Sequence, residues 1–275
     1  MLVHLANYEP NRVGGGWTFA NSFVSWFGQT NYNDADIYFI TSASMVQREA
    51  VIEAKKDGKK IVLRVDNAIR NSRNRNTGMT RLYDFSKMAD LVIYQSAWAR
   101  DFIMEFTGVD GEVILNGCDL GKFKPTTKHK NSYLYSRFNR DESKNWYWAW
   151  YYFARTYASN KDSKLFITGQ FSDELREYNF DFYNNENYSY LGVLNSNSMA
   201  DLLGTTENFI YTYMNDACSN SLIEALCSGC NIVGGDYWKT GGAYEIVTMF
   251  KKHGREIFSN ERVKKEYEEC MNRVK

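Results

Sequence analysis

Short, β-rich apolar runs recur along this chain, and stretches of helical periodicity separate them. Met1–Ala6, Asp36–Ile40, Lys60–Val65, Leu91–Tyr94 and Glu112–Leu115 read as buried strands. Trp17–Phe27, Ser44–Lys56 and Ser96–Phe106 read as helices between them. The pattern resumes with strands at Tyr133–Ser136, Leu165–Gly169, Tyr188–Val193, Asn208–Tyr213 and Asn231–Gly234. Its helices are expected at Asn145–Tyr157, Ser198–Leu203, Ser219–Gly229 and Gly241–Phe250. A strand that returns through a helix comes back parallel to itself, so the alternation dictates parallel sheets covered by helices. The polar stretch Thr126–Asn131 separates the two runs as a linker, and Glu261–Val274 closes the chain as a charged amphipathic helix.

With 275 residues the chain can hold one large or two small cores. Lys plus Arg and Asp plus Glu both number 33, so no bulk charge draws the whole chain to a polyanion, although local patches still can. Twenty Tyr, 17 Phe, many Asn and two Pro read as coding bias of an AT-rich source, viral or bacterial. Five Cys without paired spacing fit a reduced, cytoplasmic protein. Cys227-Ser-Gly-Cys230 stands at a helix end with no second pair, so it reads as packing rather than metal or redox chemistry. No apolar run is long enough to span a membrane, and the first strand begins without a signal peptide.

The most informative stretch is Asn208–Gly229, a strand, a loop and a helix. Ser219 and Asn220 are good N-caps, so the helix starts there, and its unpaired N–H groups form an anion site. Asp216 precedes that end and Glu224 lies about a turn inside. Two carboxylates around an anion site suit a sugar nucleotide: amides take the diphosphate and carboxylates accept from hydroxyls. Each residue alone has an ordinary reading, since a lone Glu on a helix is usually a solvated surface residue.

Other loops add candidates. Gly14-Gly-Gly16 sits between the first strand and helix, where a nucleotide fold places glycines for close backbone approach, though it does not match GxGxxG. A plain flexible loop is the competing reading. Asp34-Ala-Asp36 has the form of a metal-binding DxD. It precedes a strand instead of following one, and Ala89-Asp90 repeats that placement, so it reads as structural. Asp66 ends a strand. The loop after it carries Arg70, Arg73 and Arg75, with Arg81 beyond, a cationic stretch for phosphates of a nucleic acid, glycan or lipid, or simply a solvated loop. After the first strand of the second half come Arg137, Arg140 and Lys144, which can neutralise a diphosphate leaving group or form an ordinary charged turn.

Taken together, Leu63-Arg-Val-Asp66, Ala89–Trp98, Ile114–Pro125, Ser136-Arg-Phe-Asn139 and Asp216–Gly229 resemble the family 4 retaining glycosyltransferases of GT-B fold, over nearly the whole chain. The resemblance implies two Rossmann-like, doubly wound α/β domains facing each other across a cleft. Their expected extents are 1–125 on the acceptor side and 131–252 for the nucleotide sugar, with a C-terminal helix in 253–275 packing back on the first domain. It implies transfer of a sugar from a nucleotide-diphosphate sugar, UDP-sugar favoured, with retention and without a metal or other cofactor. In the family's E-x7-E pair the second Glu is Glu224, expected to hold the ribose. Asp216 replaces the first Glu and would face the donor sugar. Asn220, Ser221 and Leu222 match the helix start, Gly15 and Gly16 match the first-loop glycines, and Arg137 and Lys144 match the basic pair, with Arg140 as alternative Arg. Many members carry a His near the donor sugar. Here His4 lies in a strand, and His129 and His253 fall in linker and tail, so Asp66 is the substitute polar contact. The implied acceptor is a glycan or lipid-linked saccharide, or a hydroxylated DNA base met by Arg70, Arg73 and Arg75. A non-catalytic nucleotide- or sugar-binding regulator on the same fold is the alternative.

Overall fold

A computed structural model describes residues 1–10, 12, 15–66, 76–139, 141–170 and 186–274. The chain divides into two compact units. The first comprises Met1–Gly117, Asp216–Cys218 and Asn260–Lys275, the second Cys118–Asn215 and Ser219–Ser259.

The first unit is a parallel sheet of β1 (Val3–Leu5), β2 (Ile37–Ile40), β3 (Lys60–Val65), β4 (Leu91–Tyr94) and β5 (Glu112–Val113), standing in chain order. Its helices are α1 (Gly15–Phe27), α2 (Arg48–Lys56), α3 (Asn76–Met88) and α4 (Ala97–Thr107). Because successive strand side chains point to opposite faces, Tyr38 and Ile40 meet one core while Ile37 and Phe39 meet the other. Val51 and Ala54 of α2, Leu82 and Phe85 of α3 and Ile103 of α4 fill the first. Phe19, Ala20 and Phe23 of α1 fill the second. Burying each Val, Leu, Ile or Phe side chain among these contributes about 1.5–3 kcal/mol. Both strand-preceding aspartates have structural work: Asp36 Oδ2 accepts from the Leu2 amide at 2.9 Å, and Asp90 Oδ2 from the Ile61 amide at 2.8 Å. Ser96 caps α4 by accepting from the Ala99 amide, and Gly108 closes it at φ 65°.

The second unit holds β6 (His129–Tyr135), β7 (Lys164–Ile167), β8 (Tyr188–Tyr190), β9 (Thr206–Ile210) and β10 (Asn231–Val233), with α5 (Trp146–Ser159), α6 (Ser196–Thr205), α7 (Asn220–Cys227) and α8 (Gly241–His253). All pairings are parallel, in the order β10-β9-β6-β7-β8. The order reverses between β6 and β9, and ligands of open α/β sheets gather beyond the carboxyl ends at such a point. His129 opens β6, which corrects its expected place in a linker, and His253 ends α8 instead of belonging to the C-terminal tail helix. β9 stops at Ile210, so Tyr211–Tyr213, expected inside the strand, belong to its carboxyl-end loop. Lys128 anchors two helix ends here, its ammonium donating to Leu203 O at 2.8 Å and Ser228 O at 2.7 Å.

The last helix, α9 (Asn260–Asn272), returns to the first unit. Val263, Tyr267, Cys270 and Met271 recur at helical spacing and join Phe19, Phe23 and Phe39 in the second core of that sheet. Phe23 and Phe39 lie 4.2 Å apart between ring centres, and Tyr267 packs 5.3 Å from Phe19. Among the described residues no helix is long and apolar enough to cross a membrane.

Candidate functional site

In the second unit the chain leaves the central strand β6 through Ser136 and Arg137. Arg137 holds φ at 69°, a left-handed conformation that a non-glycine residue rarely keeps without support from its surroundings. Two features hold the turn. The Phe138 amide donates to Thr168 O at 2.9 Å. Gly169, at φ 136°, lies so close that a Cβ there would sit 2.5 Å from the backbone N and O of Phe138. The loops after β6 and β7 therefore pack backbone to backbone, and only glycine permits it.

Tyr213, in the loop after β9, ties that turn to the neighbouring strand. Its hydroxyl donates to Ser136 O at 2.5 Å and lies 2.9 Å from the Ser136 hydroxyl. The fully buried ring has the Arg137 guanidinium 5.6 Å and the Lys144 ammonium 5.1 Å from its centre. Lys144 is itself buried, and its carbonyl accepts from the hydroxyls of Tyr135 and Thr212, both at 2.9 Å. Two cations from the β6 loop thus converge on one aromatic ring at the switch point.

Helix α7 begins beside this group in the chain, with Ser219 as N-cap. Its hydroxyl does not cap the first turn; it lies 3.2 Å from the Ser221 hydroxyl instead. Ser221 and Leu222 are buried, so Leu222 can offer a ligand its amide alone, while Asn220 is partly exposed. Glu224, on the same helix, is partly buried, and burial lifts its pKa from the ordinary 4.5 to about 7. The charges of Arg137 and then Lys122 pull it back down without overcoming that desolvation. Glu224, Arg137 and Lys122 therefore share one electrostatic environment.

In the first unit, Asp66 follows β3 and is half-buried, and Gly16 stands in the first turn of α1 behind Gly15. A Cβ on Gly16 would lie 3.9 Å from Asp66 Oδ2, so this carboxylate stands at the positive end of α1. Asp216 is buried and groups with the first unit. The adjacent stretch is fixed there by Asn116, whose Nδ2 donates to Cys218 O at 3.0 Å. The buried Arg64 in turn donates to Asn116 Oδ1 at 2.9 Å.

The structure thus brings Arg137, Lys144 and Glu224 to one end of the second sheet, and Gly16 and Asp66 to one end of the first. Arg70, Arg73, Arg75 and Arg140 lie outside the described residues. Sequence reading missed Tyr213, Ser136 and Lys122. A polar residue just past a strand's carboxyl end is the signal for the first two, and Tyr213 was hidden by β-rich neighbours. Cys227 and Cys230 are buried, and burial pushes the Cys230 thiol up to about 11, away from the reactive thiolate. Among the described residues no group of three or more His, Cys, Asp or Glu is arranged to hold a metal.

No family model and no curated protein sequence matches this chain. Solved structures do. The crystal structure of Anabaena HepE in complex with UDP and glucose superposes with a TM-score of 0.71 at 11% identity, covering 98% of this chain and 99% of that one. The pneumococcal O-GlcNAc transferase GtfA, in complex with UDP and GlcNAc, gives 0.65 at 12% identity, over 95% of this chain and 61% of its own. Sucrose-phosphate synthase from Thermosynechococcus elongatus gives 0.63 at 12% identity, over 93% and 76%. The fold is that of the GT-B glycosyltransferases, with two parallel five-stranded sheets.

Proposed function

We propose that the chain is a retaining glycosyltransferase that moves a sugar from a nucleotide-diphosphate sugar to an acceptor hydroxyl without a metal. The observation that carries this reading is the convergence of Arg137 and Lys144 on Tyr213 at the switch point of the unit that also holds the partly buried Glu224. Negative charge grows on the diphosphate as the sugar bond breaks, and two fixed cations stabilise that charge more than they stabilise the bound donor. Arg137 offers a forked contact and Lys144 a point charge. The α7 amides, with Asn220 and Ser221, add donors to the phosphates. Glu224 accepts from the ribose hydroxyls. UDP is the favoured nucleotide, which the UDP complexes of HepE and GtfA support.

The remaining roles come from the family resemblance. Asp216 faces the donor sugar, Asp66 serves as polar contact to sugar or acceptor, and Gly15 and Gly16 lie near the diphosphate, with Arg140 as a second basic contact. Retention follows same-face attack assisted by the leaving phosphate, which needs no carboxylate nucleophile. The acceptor is a glycan or lipid-linked saccharide, or a hydroxylated DNA base contacted by Arg70, Arg73 and Arg75. No DNA binding at low salt eliminates the DNA version.

The experiment is a donor screen with UDP-glucose, UDP-GlcNAc and GDP-mannose, reading released nucleotide by mass spectrometry. Glu224→Ala and Lys144→Ala should each abolish release while circular dichroism stays unchanged. Near-normal release by both variants overturns the assignment. The shorter carboxylate at Asp216 favours a second reading, a nucleotide- or sugar-binding regulator, which would bind UDP and release nothing from any donor.

A further inference from the structure

Helix α5 carries eight aromatic residues among its 14, and only part of them face the core. Trp146, Ala149 and Phe153 are buried. A second stripe, Trp148, Tyr151, Tyr152, Arg155, Thr156 and Ser159, recurs at spacings of three and four and so forms one continuous face. Trp148 and Tyr151 are each 51% exposed, a large aromatic surface to leave in water without use. This stripe lines a cleft of about 720 Å³ together with Gly234, Gly235 and Tyr237 after β10 and Tyr133 of β6. That volume falls in the range of about 300–1,000 Å³ of small-molecule sites. The cleft shares no residue with the Arg137–Glu224 group and lies within the second unit.

Its chemistry is amphipathic in a specific way. Trp148 and Tyr151 stand edge to face, 5.6 Å between ring centres, presenting rings at right angles. Arg155 lies 5.9 Å from the Tyr151 ring centre and has no carboxylate partner among the described residues. Thr156 and Ser159 give their hydroxyl protons to Tyr152 O and Arg155 O, at 3.0 and 3.3 Å, so their oxygens keep lone pairs to accept from a ligand. Asn160 receives the Asp162 amide on its oxygen and keeps its NH2 donors. A pyranose has matching halves: axial C–H faces that pack on aromatic rings, and a rim of hydroxyls that both donate and accept.

We infer that this cleft is a saccharide-binding site, distinct from the proposed donor site, that holds a segment of a pyranose chain against Trp148 and Tyr151. A lipid surface is the competing occupant of exposed Trp and Tyr side chains, but it contacts a convex apolar face. Here the aromatic residues line a concavity with hydrogen-bonding groups along its other end. The inference stands whether or not the chain transfers sugar, and its test reads binding instead of turnover.

The test is isothermal titration of the full chain with cellohexaose, chitohexaose and a hyaluronan hexasaccharide, the last to engage Arg155. At least one should bind with a Kd of about 1 mM or tighter. Trp148→Ala and Tyr151→Ala should each weaken that binding about tenfold or more, leaving UDP binding and the thermal midpoint unchanged. Binding of none of the three, or binding indifferent to both variants, overturns the inference. So does attachment to phosphatidylglycerol vesicles that both variants abolish, because it assigns the rings to a lipid surface.

Discussion

Replacing Glu224 by glutamine removes a charge and keeps the side chain's shape, so the variant isolates what burial does to that charge. The folded protein holds the Glu224 proton to a pH of about 7, whereas the ordinary value is 4.5. Between those values the native state binds more protons than the unfolded chain, so stability falls as pH rises through the window. Each unit of pKa difference is about 1.4 kcal/mol, which puts the full penalty near 3 kcal/mol above neutrality. Part of the side chain meets solvent, so roughly 2 kcal/mol is the expected net effect. Glu224→Gln has no such penalty. Calorimetric melts should therefore give variant and wild type similar midpoints near pH 4, and a variant melting about 4–8 °C higher near pH 8, at the roughly 2–4 °C per kcal/mol of a chain this size. The transition to follow is that of the second unit. Equal midpoint differences at both pH values would refute the argument that Glu224 carries a desolvated charge. In the proposed reaction ribose hydroxyls donate to the ionised form, so UDP-glucose affinity should fall as pH drops below about 7, by up to tenfold per pH unit in wild type and not at all in the variant.

Three further outcomes follow from packing. Gly169→Ala forces a Cβ to 2.5 Å from the Phe138 backbone at φ 136°, so it should destabilise by about 2–4 kcal/mol and displace the Arg137 turn. Urea unfolding measures the first, and a loss of UDP affinity measures the second. Asn116→Ala leaves the buried Arg64 guanidinium and the Cys218 carbonyl short of a partner, for about 2–4 kcal/mol in denaturant unfolding. Lys128→Met removes the ammonium that serves the Leu203 and Ser228 carbonyls, which should lower stability by about 1–3 kcal/mol, with protection of α6 and α7 amides reduced in hydrogen exchange.

The alternation of strands and helices was legible because both periodicities are local. Lys60–Val65 and Asn231–Val233 fall where apolar runs predict them, and α7 starts at Asn220 behind the N-cap Ser219. Strand order was not legible. Nothing in Val3–Leu5 says that β1 forms the edge of a sheet laid out in chain order, or that β6 sits between β9 and β7; those are outcomes of which faces pair. Tyr213 shows the same limit at the site. Its β-rich neighbours Tyr211 and Thr212 read as strand, and only three-dimensional packing turns its ring toward Arg137 and Lys144. Arg137 itself gave no local sign of the left-handed turn that holds it, because that turn is imposed from β7 through Gly169.

Asp216 and Glu224, with seven residues between them, illustrate why a motif is not yet a site. The first carboxylate lies in a short stretch, Asp216–Cys218, that groups with the N-terminal sheet and is anchored there by Asn116 and Arg64. The second belongs to the other unit, where burial sets its charge against Arg137 and Lys122. Their chemistry therefore differs in kind. Glu224 is a desolvated carboxylate whose protonation follows pH near neutrality, and the binding role proposed for it is tied to that titration. Asp216 lies two residues before Cys218, whose carbonyl accepts from Asn116, more than a hundred positions away in sequence. A substitution at Asn116 should consequently reach the role proposed for Asp216 while leaving the pH response of Glu224 unaltered. That separation of effects is what two carboxylates on different scaffolds, rather than one continuous motif, require.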